Sequence, residues 1–247
     1  MAHRTKITIE YDGGPFQGWQ RQNDQPTVQY AIETALHSLT GETVTIRGAG
    51  RTDAGVHALG QVAHFDTERI WDPDRIRDGL NYHLKPNPIA ILDADPVDAT
   101  FDARFSAIMR HYRYVILNRR ARPALDFGRV WHVPTALAVD DMEQAAKAFI
   151  GNHDFTTFRA ANCQAKSPIK TVSQVTVTKQ DDWIDIRVSA RSFLYNQVRS
   201  MVGSLVEVGR GRWPVTGIAD ALAAKDRRAC GPVAPPHGLT LTAVDYE

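Results

Sequence analysis

Apolar and polar residues follow one another in two kinds of pattern along this chain. Alternating or short continuous apolar runs predict strands, and they occur at 6–11, 43–46, 61–65, 89–92, 112–117, 169–178, 183–190 and 239–246. Apolar residues spaced three and four apart predict helices at 28–40, 73–84, 140–150, 193–208 and 218–224. Thr27 and Asp140 are the predicted N-caps of two of these helices, and Gly41 and Gly151 follow their predicted ends.

The order of these elements is nearly the same in both halves of the chain. Each half is predicted to run strand, helix, strand, strand, helix, strand, which is the ferredoxin-like order. The sequence therefore predicts an α+β fold of two ferredoxin-like (RRM-like) halves, related by pseudo-two-fold symmetry. Their mostly antiparallel sheets are expected to meet at a central basic cleft. We place the predicted domains at 1–105 and 106–247.

Composition narrows the class of protein without defining it. The chain has 247 residues, 43% hydrophobic residues, 23% charged residues and a net charge of +1. Two cysteines, Cys163 and Cys230, favour a reducing compartment over a disulfide scaffold. The first residues contain no apolar signal segment, and no apolar run has the length of a membrane span, so we expect a cytoplasmic protein without a membrane partner.

Arginines cluster in the second half although the net charge is small. They lie at 110–113, 119–122 and 210–212. Arginine binds phosphate in a bidentate manner and stacks on bases, which favours a nucleic-acid partner. A solvated surface or a biased base composition explains the same clusters equally well.

The stretch 48–57, Gly-Ala-Gly-Arg-Thr-Asp-Ala-Gly-Val-His, stands out between two predicted strands. Its glycines permit close backbone approach or positive φ, and Asp53 lies between them. Asp53 is interpreted as a presented carboxylate, and the alternative is an aspartate that caps its own turn. A phosphate-binding loop is disfavoured, because the Gly-Lys-Ser/Thr end is missing and a strand follows.

The same stretch carries a resemblance to a known family. Residues 50–58 are similar to the signature of the TruA-type tRNA pseudouridine synthases. Further segments resemble that family in the same order along the chain, at 11–13, 18–21, 110–114, 154–159, 167–168, 193–194 with 198–199, and 236–239. The sequence departs from the family pattern at 191–192, at 195–197 and at Thr240.

The resemblance implies an isomerase that converts uridine to pseudouridine. The implied targets are positions 38, 39 and 40 in the anticodon stem and loop of tRNA, and the implied assembly is a homodimer. Neither a cofactor nor a metal is expected, and no Cys, His and carboxylate cluster has ligand spacing.

The resemblance also assigns roles to three residues. Asp53 is the implied nucleophile, and Arg199 supplies the cation that favours its ionised form. Tyr112 is expected to stack on the detached uracil and to relay a proton. The alternatives are a solvated charge for Arg199 and a core ring for Tyr112. Arg51 is a second candidate for the cation, although a role in phosphate binding or loop structure is favoured for it.

Other residues are candidates for holding the RNA. The expected substrate-binding set is Tyr112, Arg51, Thr52, His57, Arg21, Arg110 and Arg159, with Arg104 as a further candidate. Two rival functions stay open from the residues alone. One is an RNA-binding protein without catalysis, and the other is a hydrolase that pairs Asp53 with a second acid, although the sequence places no such acid.

Overall fold

The computed structural model describes residues 3–22 and 25–247, which form two compact units. Unit 1 extends to Ile108 and also includes Leu241–Glu247, and unit 2 is Met109–Thr240. The last seven residues thus belong with the first unit, whereas the sequence grouped them with the second half. The domain boundary between 105 and 106 stays a prediction.

Unit 1 opens with strands and helices in the predicted order. They are β1 (His3–Tyr11), α1 (Val28–Thr40), β2 (Arg47–Gly48), β3 (His57–Thr67), α2 (Pro73–His83) and β4 (Ile89–Val97). The order strand, helix, strand, strand, helix, strand is thus confirmed for the first half, with the two-residue β2 in place of the predicted strand at 43–46.

Unit 2 contains the same kinds of element with additional short ones. They are β5 (Met109–Leu117), β6 (Trp131–His132), α3 (Val139–Ala146), β7 (Gly151–Asp154), β8 (Ile169–Gln180), β9 (Trp183–Ala190), α4 (Gln197–Gly209) and α5 (Gly217–Ala224). The last strand is β10 (Leu239–Asp245), of which residues 241–245 belong to unit 1. The protein is therefore mixed α+β, and the pseudo-two-fold relation of its halves stays a prediction.

Antiparallel pairing dominates within each unit. In unit 1 the strand order is β4-β1-β3-β10, with β2 paired to β3, and Ile7 of β1 lies opposite Ala63 of β3. In unit 2 the order is β5-β9-β8-β7, with β6 parallel to β5, and Tyr112 of β5 lies opposite Val188 of β9. Helix residues Ile32, Leu36 and Leu80 of unit 1 are fully buried, which is the amphipathic arrangement that the spacing predicted.

Helix α1 has both of the ends that the sequence predicted. The Thr27 side chain accepts a hydrogen bond from the Tyr30 backbone N–H, and Gly41 adopts the left-handed conformation at φ 76°. Such caps satisfy backbone groups that the helix itself leaves unpaired.

The predicted strand at 43–46 is wrong. These residues form no strand, and only Arg47–Gly48 pairs with β3. The reason is local: the Ile46 N–H donates to Glu33 Oε1, and the Ile46 carbonyl accepts from Gln29 Nε2, each at 3.2 Å. Side chains of α1 therefore take the hydrogen bonds that a sheet partner would have supplied.

Two predicted helix starts also need correction. Helix α3 begins at Val139 with Ala138 as its N-cap, and Asp140 lies in the first turn instead. That start is fixed by tertiary contact, because the Ala138 N–H donates to the Gly209 carbonyl. The helix gives way to a 3-10 turn at Lys147–Phe149 before Gly151, so Gly151 does not terminate it directly.

Helix α4 begins at Gln197, four residues after the predicted start. Asn196 has a positive φ of 61°, which interrupts the helical path. The Leu194 N–H is satisfied by Gln197 Oε1 at 2.8 Å, so the preceding segment is a turn that the Gln197 side chain closes.

Candidate active site

The glycine-rich loop of unit 1 forms a tight turn around Asp53. The Val56 N–H donates to the Asp53 carbonyl at 3.1 Å, and Gly55 has φ 76°. Asp53 is half-buried, whereas Arg51 and Ala54 on either side of it are exposed. The turn thus fixes the backbone that carries the carboxylate.

Gly18 packs directly against that backbone. A Cβ at Gly18 would lie 2.7 Å from the Thr52 carbonyl oxygen and 3.2 Å from the Ala54 nitrogen, and its φ is +93°. The next residue, Trp19, donates its N–H to the same Thr52 carbonyl at 3.0 Å. Only glycine allows this approach, so the segment after β1 fixes the position of the Asp53 peptide.

Gly13 fixes the other side of the turn. A Cβ at Gly13 would lie 2.0 Å from the Val56 carbonyl oxygen, which leaves no space for any side chain. The Gly55 N–H donates to the Phe16 carbonyl at 3.3 Å. The loop is therefore held from two sides by residues 13–19.

Two buried polar side chains of the loop are engaged in this support. The Thr52 hydroxyl lies 2.7 Å from the Tyr11 hydroxyl, and both residues are buried. Burial raises the pKa of Tyr11 well above its usual range, although hydrogen bonds with Thr52 and Gln61 oppose that shift. Tyr11 is therefore a neutral hydroxyl that positions Thr52.

His57 has a similar supporting position. Its Nδ1 accepts the Gly13 N–H at 3.0 Å, so it carries no proton at that contact. Asp12 Oδ1 lies 3.1 Å from the same nitrogen and accepts the Gly14 N–H at 2.9 Å. The contact of His57 with Asp12 is consequently not an ion pair in this tautomer.

Two arginines of unit 1 belong to one polar network. Arg51 Nε donates to Gln20 Oε1 at 3.0 Å, and Gln20 Nε2 donates to Gln29 Oε1 at 2.8 Å. Gln29 in turn donates to Glu33, which also accepts from Arg21 at 3.1 Å. The network reaches from the Asp53 loop to helix α1.

Unit 2 places the remaining candidates on β5 and at the start of α4. Tyr112 is half-buried, and its ring meets that of Phe193 edge to face at a centroid distance of 5.2 Å. Arg199 Nε donates to the Ala234 carbonyl at 2.8 Å, and its Nη1 donates to Asn196 Oδ1 at 3.0 Å. Arg199 is thus held in a defined orientation by groups of its own unit.

Arg110, Arg159 and Tyr114 have different surroundings. Arg110 is buried, with its guanidinium donating to the Arg191 carbonyl. Arg159 follows the 3-10 turn Thr156–Phe158 and is half-buried. Tyr114 is a core residue, since it is fully buried with its hydroxyl donating to the Pro235 carbonyl, and burial raises its pKa.

The structure therefore brings part of the predicted set together. Within unit 1 it groups Asp53 with Thr52, His57 and Arg51, and it connects Arg21 to Arg51 through side-chain amides. Within unit 2 it places Tyr112 on β5 and Arg199 on α4. The pairing of Arg199 with Asp53 stays a prediction, since the two residues belong to different units.

Sequence reasoning missed the residues that support the loop. Tyr11, Gly13 and Gly18 lie in the segments 11–13 and 18–21 that resemble the family, but the sequence predicts no supporting role for them. The available signal was the glycines at positions 13 and 18 after β1, since glycine permits a close approach of the backbone.

Neither a membrane span nor a metal cluster occurs in the part of the chain that the structure describes. Over residues 3–22 and 25–247, none of the helices combines the length and apolar character needed to cross a bilayer. No group of three His, Cys, Asp or Glu side chains in those ranges is arranged to hold a metal ion.

Comparison with known proteins identifies the family. A family model described as tRNA pseudouridine synthase matches residues 7–106 and 145–247. The curated tRNA pseudouridine synthase A of Nitrobacter winogradskyi is 59% identical over 244 residues, covering 99% of this chain and 96% of that protein. Those of Afipia carboxidovorans and Rhodopseudomonas palustris are each 58% identical over 243 residues, covering 98% of this chain and 99% and 98% of the relatives.

A comparison of structures gives a weaker likeness. A solved Cbf5–Nop10–Gar1 complex matches with a TM-score of 0.42 and 12% identity, covering 83% of this chain and 45% of that one. This likeness is too low to bear on fold or function.

The chain therefore belongs to the tRNA pseudouridine synthase family. It is an isomerase that converts uridine to pseudouridine in tRNA, like the curated relatives that carry the name tRNA pseudouridine synthase A.

Proposed function

We propose that Asp53 is the nucleophile of a uridine isomerisation at positions 38, 39 and 40 of the tRNA anticodon stem and loop. The observation that carries this proposal is the fixed backbone around Asp53, held by Gly18, Trp19 and Gly13. A nucleophile whose backbone is fixed before the substrate binds avoids the cost of ordering it during the reaction. The motif at 50–58 adds support from the sequence.

The reaction breaks the N1–C1′ bond of the nucleotide and forms a C5–C1′ bond. A carboxylate can add to the nucleotide and leave again, which keeps the intermediate bound while the uracil turns. C5 gives up its proton as the new bond forms, and N1 ends the reaction carrying one. The overall change therefore needs no external oxidant, reductant or cofactor.

Tyr112 is proposed to hold the detached uracil and to carry the C5 proton. Its edge-to-face contact with Phe193 fixes the ring orientation, and its phenol can donate and accept a proton. Tyr112→Phe should keep tRNA affinity within about twofold and slow the isomerisation by ~100-fold or more.

Arg199 is proposed to supply the positive charge that keeps the nucleophile ionised. Its hydrogen bonds to Ala234 and Asn196 fix its orientation within unit 2. Arg199→Ala should therefore lower the rate of chemistry far more than tRNA affinity. Equal losses in rate and affinity would make Arg199 an RNA contact instead.

The RNA contacts are proposed to come mainly from arginines. Arg51 and Arg21 are exposed, which suits phosphate binding. Arg110 and Arg159 are more enclosed and remain candidates for binding the nucleotide. Thr52 and His57 are buried and bonded to Tyr11 and Gly13, and this favours a positioning role for both.

We also propose that the protein works as a homodimer in the cytoplasm. Leu125 and Phe127, on the loop after β5, are 97% and 77% exposed, and large apolar side chains this exposed favour a protein partner. Sedimentation of Leu125→Asp/Phe127→Asp should show a monomer where the wild type is a dimer. A wild type that sediments as a monomer would refute the dimer.

The target positions are tested by mapping the product. Wild-type enzyme incubated with unmodified tRNA should give pseudouridine at positions 38, 39 and 40 and at no other position. Asp53→Ala should bind the same tRNA and form none. Product at a different set of positions would refute the assignment while leaving the role of Asp53 intact.

A further inference from the structure

A groove of about 650 Å³ lies in unit 1 between the start of α1 and the turn after α2. Arg21, Gln25 and Tyr30 line one side of it, and His83 and Asn87 line the other. Its volume is typical of sites that hold a molecule of nucleotide size, which are usually ~300–1,000 Å³.

One wall of the groove presents an aromatic ring and a cation together. The Arg21 guanidinium carbon lies 4.9 Å from the centroid of the Tyr30 ring, and Arg21 is also held by the buried Glu33. Tyr30 remains 48% exposed despite that contact. Guanidinium and tyrosine faces are the surfaces on which unpaired bases stack.

The other polar groups of the groove are suited to base edges and phosphate. Within the described ranges, the side-chain amides of Gln25 and Asn87 make no hydrogen bond with another residue. Such amides can donate to and accept from the edge of a base. Among the lining residues that the structure describes, none is Asp or Glu.

The groove is continuous with the support of the Asp53 loop. Phe16 lines the groove, and its carbonyl accepts the Gly55 N–H of that loop at 3.3 Å. The Gln17 N–H donates to the Pro26 carbonyl at 2.8 Å, which closes the lining segment on itself. Phe16 is therefore shared by the groove and by the support of the Asp53 loop.

We propose that the groove binds one unpaired ribonucleotide of the tRNA that flanks the target uridine. Its base stacks on Tyr30, and its phosphate is bound by Arg21. The proposal rests on the activity of the family on tRNA and is independent of the role proposed for Asp53.

The test measures the affinity of an anticodon stem-loop RNA for wild type and Tyr30→Ala. The RNA is used intact and with a single abasic site at each nucleotide that flanks the uridine. Tyr30→Ala should weaken binding of intact RNA by about 5- to 100-fold, the usual range for loss of one base stack. One particular abasic RNA should bind both proteins equally, since the stacked base is then absent.

Three variants separate the proposed contact from a change in folding. Tyr30→Phe keeps the ring and should bind like wild type. Tyr82→Ala removes a 72% exposed ring of the same unit that does not line the groove, and it should leave affinity unchanged. Arg21→Gln should reduce the salt dependence of binding by about one counterion.

Several results would overturn the proposal. One is a loss of RNA affinity in Tyr30→Ala that is no larger than the loss in Tyr82→Ala. Another is that Tyr30→Ala weakens the binding of every abasic RNA equally. A third arm adds uridine or adenosine 5′-monophosphate to wild type. If either monophosphate binds in a Tyr30-dependent way while RNA affinity is unaffected by Tyr30→Ala, the groove takes free nucleotides instead. None of these outcomes depends on Asp53, because the groove is tested by RNA affinity whereas variants of Asp53 are tested by turnover.

Discussion

Replacing Gly18 by alanine tests whether the position of the Asp53 backbone governs activity. Gly18 has φ +93°, a conformation that residues with a side chain rarely adopt. The new Cβ would lie 2.7 Å from the Thr52 carbonyl oxygen, whereas ordinary contact begins at 3.4 Å. The Thr52–Asp53 peptide or the Gly18 segment must therefore shift by several tenths of an ångström.

The size of the effect follows from these two perturbations. An unfavourable backbone conformation costs ~1–3 kcal/mol of stability. A misplacement of about 1 Å at a reacting group can slow an enzyme by ~100-fold. We therefore expect Gly18→Ala to lose ~2–3 kcal/mol of unfolding free energy and to show a kcat reduced by about 10- to 100-fold.

Gly41 provides a matched control for the conformational strain. It has φ +76° at the end of α1, and a Cβ there would meet no atom within 4 Å. Gly41→Ala should lose ~1–2 kcal/mol of stability and keep a wild-type kcat. Urea unfolding measures the stability of both variants, and tritium release from tRNA labelled at uridine C5 measures kcat.

Two results from the comparison of Gly18→Ala with Gly41→Ala would refute the positioning role of Gly18. A Gly18→Ala enzyme with wild-type kcat would show that the close approach of Gly18 to Thr52 does not position the nucleophile. Equal losses of kcat in both variants would show that activity follows global stability and not the loop.

Three further changes test the electrostatics and hydrogen bonds. Burial raises the pKa of Tyr11 and Tyr114 above the ordinary 10.0, so the unfolded chain loses these protons first and stability falls above about pH 10. Tyr114→Phe should remove up to ~1.4 kcal/mol per pH unit of that decline in urea titrations. Arg4 binds Asp66 through two 2.7 Å hydrogen bonds and lowers its pKa from 3.8, so Asp66→Asn should destabilise the protein at neutral pH and have no effect once acid has protonated Asp66, as thermal melts against pH would show. Thr52→Val removes a bond to the Tyr11 hydroxyl and should cost ~1–2 kcal/mol in urea unfolding, whereas Thr52→Ser should restore most of it.

Elements that depend on local signals could be predicted from the sequence. Helix α1 has its cap at Thr27 and its end at Gly41, because both act through hydrogen bonds within a few residues. The hairpin between β8 and β9 turns at Asp181, which has φ 52° and lies in the polar segment 180–182 between the predicted strands 169–178 and 183–190. Such contacts join residues that are close together in the sequence, so local patterns predict them.

Elements that depend on distant partners could not be predicted from the sequence. The backbone at Ile46 bonds to Glu33 and Gln29, and α3 starts where Ala138 bonds to Gly209. The alternating pattern at 43–46 is typical of a strand whether a neighbouring strand or the side chains of α1 take its backbone hydrogen bonds. Only the folded arrangement decides which partner satisfies the backbone.

In the candidate site, too, features with local signals could be predicted and features that depend on distant residues could not. Glycine content and the motif at 50–58 indicated the Asp53 loop from its own residues. The bond between Thr52 and Tyr11 joins residues 41 apart, and the bond between Gly13 and His57 joins residues 44 apart. The supporting role of Tyr11 and Gly13 therefore needed the structure.

The most direct test of the central claim is single-turnover tritium release by Asp53→Asn. Asp12→Asn is the matched control, because it neutralises a second carboxylate near the same loop. Asp53→Asn should bind the labelled tRNA like wild type and release no tritium, while Asp12→Asn should retain turnover. Tritium release by Asp53→Asn at a rate near that of wild type would contradict the assignment of Asp53 as the nucleophile.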